Sequence, residues 1–200
     1  MTDNQLLTKL EIIKKAYKQR YDLMLRNGRL LIKDTDKGIW GYSDPDAIFE
    51  LFKEIKLDKH KRFLDLGSGD GSIVLIASLF GIEAVGIEDD DELYRIGNDI
   101  IDESYELYEI RNDIKELPNL KTKPECKFIK GDYMEHDFKG YDLIFINPDK
   151  EFHLGLEEKL QKEMNGKLYV YNNIFRPVTL TQNWVKRFNG VIIAEYTKDE

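Results

Sequence analysis

The order of apolar and polar positions divides the chain into a helical front and a longer stretch in which strands and helices alternate. Leu6, Leu10, Ile13, Tyr17, Tyr21 and Met24 recur at spacings of three and four, the period of one buried helix face, and Asn27-Gly28 supplies a C-terminal stop. This helix is expected to cover one face of the rest of the molecule. Between Arg29 and Tyr42, Leu30-Leu31-Ile32 and Ile39-Trp40 flank the polar run Asp34-Thr35-Asp36-Lys37-Gly38, which predicts a short hairpin or a folded loop. Ser43-Asp44-Pro45 then places a capping residue before a first-turn proline, and Ile48, Phe49, Phe52 and Ile55 give the following helix its apolar side.

From residue 62 the period changes. Short β-branched and aromatic runs at 62–66, 84–88, 127–130, 142–147 and 168–171 read as strands, and the stretches 72–80, 91–117 and 156–164 between them read as helices. Gly81, Pro118 and Asn165-Gly166 end those helices. Alternation of this kind is the pattern of a parallel sheet with crossover helices. The tail differs: an Asn189-Gly190 pair separates Trp184–Phe188 from Val191–Tyr196, a strong short-range cue for an antiparallel hairpin. The expectation is an α/β fold, doubly wound, with a mostly parallel seven-strand sheet closed by a C-terminal hairpin. Residues 1–44 form a helix and a lid or hairpin segment, and residues 45–200 form the sheet domain.

Composition narrows the function classes. The 200 residues suit one domain that buries ~70% of its unfolded surface and needs no disulfide or metal to hold together. Thirty Lys and Arg against 38 Asp and Glu give a net charge of −8, which disfavours a protein that coats DNA or anionic lipid. Cys126 is the single cysteine, and His60, His136 and His153 are scattered, so no metal site is expected. The longest apolar run, 73–82, is far short of a membrane span, and the chain is polar from Thr2 onward. A cytoplasmic protein is the expectation.

Candidate chemistry gathers at the strand ends. Phe63-Leu64-Asp65-Leu66-Gly67-Ser68-Gly69-Asp70-Gly71 runs from a strand through three alternating glycines into a helix at Ser72. Glycines there let a ligand lie against bare main chain at the carboxyl end of a strand. A dinucleotide fingerprint needs its third glycine where Ser72 stands, so the nicotinamide reading fails on spacing. Glu88 ends the second strand, 21 residues after Gly67, where an acid can accept both hydroxyls of a ribose. Asp132 follows the third strand and can accept from an adenine amino group, with Tyr133 as an apolar neighbour. Asn147-Pro148-Asp149 follows the fourth strand, where an amide carbonyl can accept from a substrate amine. Each of these has a plain alternative: a tight βα turn, solvated acids at 88–91, a surface turn, an ordinary Asn-Pro turn.

In this order the residues resemble a class I S-adenosylmethionine-dependent methyltransferase over about residues 45–197. The resemblance implies S-adenosylmethionine as cofactor, its methionine portion near Gly67, Ser68, Gly69 and Gly71, and Asp65 holding its amino group. It likewise implies Glu88 on the ribose and Asp132 with Tyr133 at the adenine. The run Phe63–Val74, Gly86-Ile87-Glu88 and Leu168–Asn173 are most similar to the seven-strand protein-lysine methyltransferases. Enzymes that methylate nucleobase amines often carry a second proline and an aromatic after the fourth strand. Here Asp149 and Lys150 occupy those places, so Phe152 would have to supply any stacking face.

Methyl transfer from a sulfonium needs positioning more than acid–base help, so the lack of a catalytic His or Cys is no objection. Asn147 is expected to orient the acceptor and Tyr42 or Trp40 to wall the cofactor pocket, with Asn172 and Asn173 on the acceptor side. The favoured reading is N-methylation of an amine such as a protein lysine. The alternatives are a non-catalytic cofactor-binding subunit and an RNA or small-molecule methyltransferase. The acidic stretch from Glu88 to Glu116 points to a basic protein partner or substrate.

Overall fold

The computed structural model describes residues 3–112 and 126–198, the side chains of residues 102–112 excepted. Helix α1, Asp3–Arg26, buries Leu10, Ile13, Tyr17 and Tyr21 on the face that the spacing predicts. It ends in a Schellman motif: Arg29 N–H reaches Met24 C=O at 2.9 Å, Gly28 N–H reaches Leu25 C=O at 3.0 Å, and Gly28 takes a φ of 72°. Strands β1, Ile32–Asp34, and β2, Ile39–Gly41, pair antiparallel, so the segment left open between hairpin and loop is a hairpin. Helix α2, Pro45–Glu54, starts as its sequence asks, with the Asp44 carboxylate accepting from the amides of Asp46 and Ala47 at 2.9 Å and Pro45 in the first turn.

The main sheet is built from β3 (Arg62–Leu66), β4 (Glu83–Glu88), β5 (Cys126–Lys130), β6 (Leu143–Ile146), β7 (Lys167–Tyr171), β8 (Thr181–Phe188) and β9 (Val191–Thr197). Its order is β5-β4-β3-β6-β7-β9-β8, with β3 to β7 parallel and the last two strands antiparallel. Asn189 and Gly190, with φ of 40° and 87°, make the tight turn of the terminal hairpin. This is the seven-strand α/β sheet that the strand pattern predicts.

Helices α3 (Ser72–Ser78) and α4 (Asp91–Asn112) join α1 and α2 over one sheet face, while α5 (Leu154–Glu163) covers the other. The helix expected over 72–80 ends two residues early, and the one expected from 156 begins at Leu154. There His153 Nδ1 accepts from the Leu156 amide at 3.1 Å, a histidine cap that composition does not announce. Of the long helix expected over 91–117, residues 113–117 lie outside the described residues. Strand order reverses between β3 and β6, and open α/β sheets bind ligands outside the carboxyl ends at such a point.

Candidate active site

A cleft of about 400 Å³ opens over the carboxyl ends of β3, β4 and β6, a volume in the range of small-molecule sites. Asp65, Gly67, Ser68, Glu88, Asp132, Tyr133 and Asn147 all line it. Residues that lie up to 82 positions apart in the chain are therefore brought to one concavity by the parallel strands. Asp65 is 1% exposed, and its Oδ2 has no hydrogen-bond partner. Burial, then the charges of Glu88 and Asp70, push its pKa well above the ordinary carboxylate range. An orphaned buried carboxylate costs folding energy, so it marks a place where a cation is expected.

The loop after β3 is held from several sides. Ser68 N–H donates to Ile87 C=O at 2.9 Å, Gly69 N–H to Glu88 Oε2 at 2.7 Å and Gly71 N–H to Ser68 C=O at 2.9 Å. Glycine is required at two nearby places. Gly69 has a φ of 57°, and a Cβ there would lie 2.3 Å from Cδ1 of Trp40. A Cβ on Gly86, in β4, would come within 2.7 Å of the Ser68 side chain, whose Oγ is the second buried atom without a partner. Glu88 Oε1 accepts from Asp90 N–H at 2.7 Å. Burial raises the pKa of Glu88, with those backbone amides working against the rise.

The hairpin of β1 and β2 lies across this cleft, and here the sequence reading missed several residues. Lys37, at the hairpin turn, reaches Asp132 Oδ2 at 2.9 Å, while Asp132 Oδ1 accepts from Met134 N–H at 2.8 Å. Burial opposes ionisation of Asp132, yet the amide and the ammonium outweigh it and hold the carboxyl below its usual range. At the other end Ile39 N–H donates to Asp149 Oδ2 at 2.6 Å, and Lys150 Nζ donates to Lys37 C=O. Lys33 pairs with Asp90 at 2.5 Å. Asn147 Nδ2 donates to Ser43 Oγ at 3.2 Å, which turns the amide and leaves its carbonyl oxygen to accept from another group. A lysine at the centre of a polar turn carries no distinguishing local signal, so only the fold reveals where Lys37 goes.

Of the two aromatics proposed as a wall, Trp40 lines the cleft and Tyr42 does not. Tyr42 packs edge-on against Tyr21 with centroids 5.4 Å apart: it lies past the end of β2, where the alternation that would have set it on the side of Trp40 no longer holds. Neither Gly69 nor Gly71 lines the cleft: Trp40 closes the space beside Gly69, and the φ of 82° at Gly71 starts α3, with Phe128 beside it. Asn172 and Asn173, both with positive φ, form the turn after β7, and Asn173 accepts from the Tyr196 hydroxyl. Much of the acidic stretch from Glu88 to Glu116 lies outside the described side chains. Among the described residues no cluster of His, Cys, Asp and Glu is placed to hold a metal, and no helix is long and apolar enough to cross a membrane.

This sheet order and strand-end cleft define the class: the fold is that of the class I S-adenosylmethionine-dependent methyltransferases. An RNA methyltransferase from Salinibacter ruber, solved with S-adenosyl-L-homocysteine, superposes with a TM-score of 0.58 at 17% identity, covering 80% of this chain and 95% of that one. The tRNA (uracil-54, C5)-methyltransferase of Pyrococcus abyssi, also solved with S-adenosyl-L-homocysteine, gives 0.56 at 14% identity over 83% of this chain and 44% of that one. The methyltransferase yhhF of Escherichia coli, described as putative, gives 0.53 at 15% identity over 80% and 88%. No curated protein sequence matches the chain. The family model of the histone methylation protein DOT1 matches residues 33–183, and the chain belongs to that family.

Proposed function

We propose that this enzyme transfers a methyl group from S-adenosylmethionine to an amine acceptor, a lysine side chain of a protein. The observation that carries the cofactor assignment is the buried, unpartnered Oδ2 of Asp65 in a cleft floored by bare glycine backbone. An α-ammonium group satisfies that oxygen and offsets the carboxylate cluster of Asp65, Asp70 and Glu88. Glu88 has lone pairs beyond those used by Gly69 and Asp90 for a ribose diol, and Asp132 with Tyr133 stands at the third-strand end for an adenine.

The bound cofactor supplies an electrophilic methyl on a sulfonium, whose leaving thioether is neutral. The chain's own residues then position and desolvate. Trp40 and the hairpin cover the cleft and exclude water, which strengthens each polar contact inside it. The Asn147 carbonyl oxygen, turned by Ser43, accepts from the N–H of the acceptor amine and aims its lone pair. A lysine must arrive as, or become, the neutral amine, and the apolar walls of Tyr133, Met134 and Phe152 lower the cost of losing its proton. The match to a histone methylation family supports a protein acceptor.

The acceptor class is tested with methyl-labelled cofactor, pure protein and a cell extract, the product being split between protease and nuclease. Label lost only to protease is expected; label lost only to nuclease overturns the protein reading. Asn147→Ala is expected to keep cofactor binding and lose transfer by about 10²-fold, and unchanged transfer removes Asn147 from the mechanism.

A further inference from the structure

Two buried hydroxyls from α1 converge on one residue of the loop after β3. Tyr17 Oη donates to the main-chain carbonyl of Asp70 at 2.9 Å, and Tyr21 Oη donates to its Oδ2 at 2.5 Å. The remaining carboxylate oxygen, Oδ1, accepts from Ser72 N–H at 3.2 Å, at the start of α3. Asp70 is 3% exposed and sits between Gly69 and Gly71, whose φ values of 57° and 82° belong to the left-handed region. Within the loop, Gly69 N–H and Gly71 N–H are tied to Glu88 and Ser68, on the sheet side. The outer side of the loop, carbonyl and carboxylate alike, is tied to a helix some fifty residues earlier in the chain.

We propose that Tyr17 and Tyr21 are positioning residues for the cofactor, holding the Gly67–Gly71 loop in its ligand-ready shape through Asp70. The inference rests on the reading of that loop as a cofactor cradle. The argument is one of conformational cost. A loop with glycines at alternate positions has many backbone states within reach, and a cradle that is competent only part of the time binds more weakly by that fraction. The apolar face of α1, through Leu10, Ile13 and Ala16, already fixes the helix on α3 and α4 without any hydroxyl. The two phenol hydroxyls, both placed on one aspartate, are surplus to that packing and reach the loop. Tyr21 also sits under the strap: its ring meets Tyr42, which follows β2 directly. One helix therefore braces both the floor of the cleft and the exit of the hairpin above it.

The test uses the full chain and calorimetric binding of S-adenosylmethionine, with melting of the ligand-free protein beside it. Tyr21→Phe keeps the ring and deletes the hydroxyl, and is expected to weaken binding about tenfold, the loss of one hydrogen bond to a buried carboxyl group. Tyr17→Phe, which deletes a bond to a neutral carbonyl, is expected to weaken it about threefold, and the double variant by at least the product. Ile13→Val, on the same buried face of α1, loosens packing without touching the loop. It is expected to lower the melting temperature and leave affinity unchanged. Equal affinity of Tyr21→Phe and the parent protein overturns the inference, as does a loss in Ile13→Val as large as that in Tyr21→Phe. Failure of the parent protein to bind S-adenosylmethionine overturns the cofactor reading itself, a different result from either.

Discussion

At Asp65 the fold buries a carboxylate beside two others, Asp70 and Glu88, and leaves one of its oxygens without a partner. Because burial and those neighbours raise its pKa above the unfolded value, its effect on stability has a definite sign. It stabilises the folded state at a pH below the ordinary carboxylate pKa, and that contribution is lost as pH rises through the raised value. At neutral pH, above the ordinary carboxylate pKa, the ligand-free protein therefore carries the cost of that shift. Asp65→Asn is expected to raise the melting temperature of the ligand-free protein at pH 7 by about 2–4 °C, the shift that about 1 kcal/mol produces in a chain this long. The same variant is expected to weaken S-adenosylmethionine binding by about 10–100-fold. Melting curves and calorimetry read the two effects separately, and a variant that melts lower and binds as well removes Asp65 from the site. Stability and function are set against each other at this one position.

Among the elements, the terminal hairpin shows the opposite use of a buried acid. Glu195 on β9 accepts from the Tyr169 hydroxyl at 2.7 Å, Lys167 Nζ at 3.1 Å and Asn183 Nδ2 at 3.1 Å, joining β7, β8 and β9 in one network. Asn183 is delivered by the irregularity between Gln182 and Trp184 in β8. Burial alone would raise the pKa of Glu195, but the bonds from Tyr169, Lys167 and Asn183 outweigh it and lower it. A lowered value contributes stability above the unfolded pKa of about 4.3 and loses it as pH falls through the folded one. Glu195→Gln is expected to cost about 1–3 kcal/mol at pH 7. Its melting temperature is expected to converge on that of the parent protein in acid, and parallel curves across the whole pH range exclude the network as the cause. The hairpin itself was legible from Asn189-Gly190, since that pair favours the left-handed turn the strands need. The network was not, because a Glu in alternation with apolar residues reads as a solvent-facing position until a third strand covers it.

Over the whole molecule, what the sequence discloses is set by range. Strand-helix alternation, helix stops and the Asp65–Gly71 run are local patterns, and they disclose the seven-strand sheet with its terminal hairpin and several of the residues that line the cleft. Contacts of Lys37 with Asp132, Tyr21 with Asp70 and Asn147 with Ser43 join residues 95, 49 and 104 positions apart, with no periodicity to announce them. Tyr17 and Tyr21 carry a further lesson, since a helical stripe is a sufficient reason for both rings and conceals what their hydroxyls do. The strap of β1 and β2 has a consequence in time. Its ties at Lys33–Asp90, Lys37–Asp132 and Ile39–Asp149 span the cleft, and a molecule beneath them is expected to leave only when several break together. Each exposed pair is weak singly and screened by salt. Residence is therefore expected to shorten as ionic strength rises, and Lys37→Ala to release S-adenosyl-L-homocysteine faster in stopped-flow exchange; equal release rates would show that the strap sets no clock. Where the strap gates the cleft, the cofactor is expected to enter before the acceptor and its spent form to depart last, with turnover paced by the opening; product-inhibition kinetics of random order would exclude such a gate.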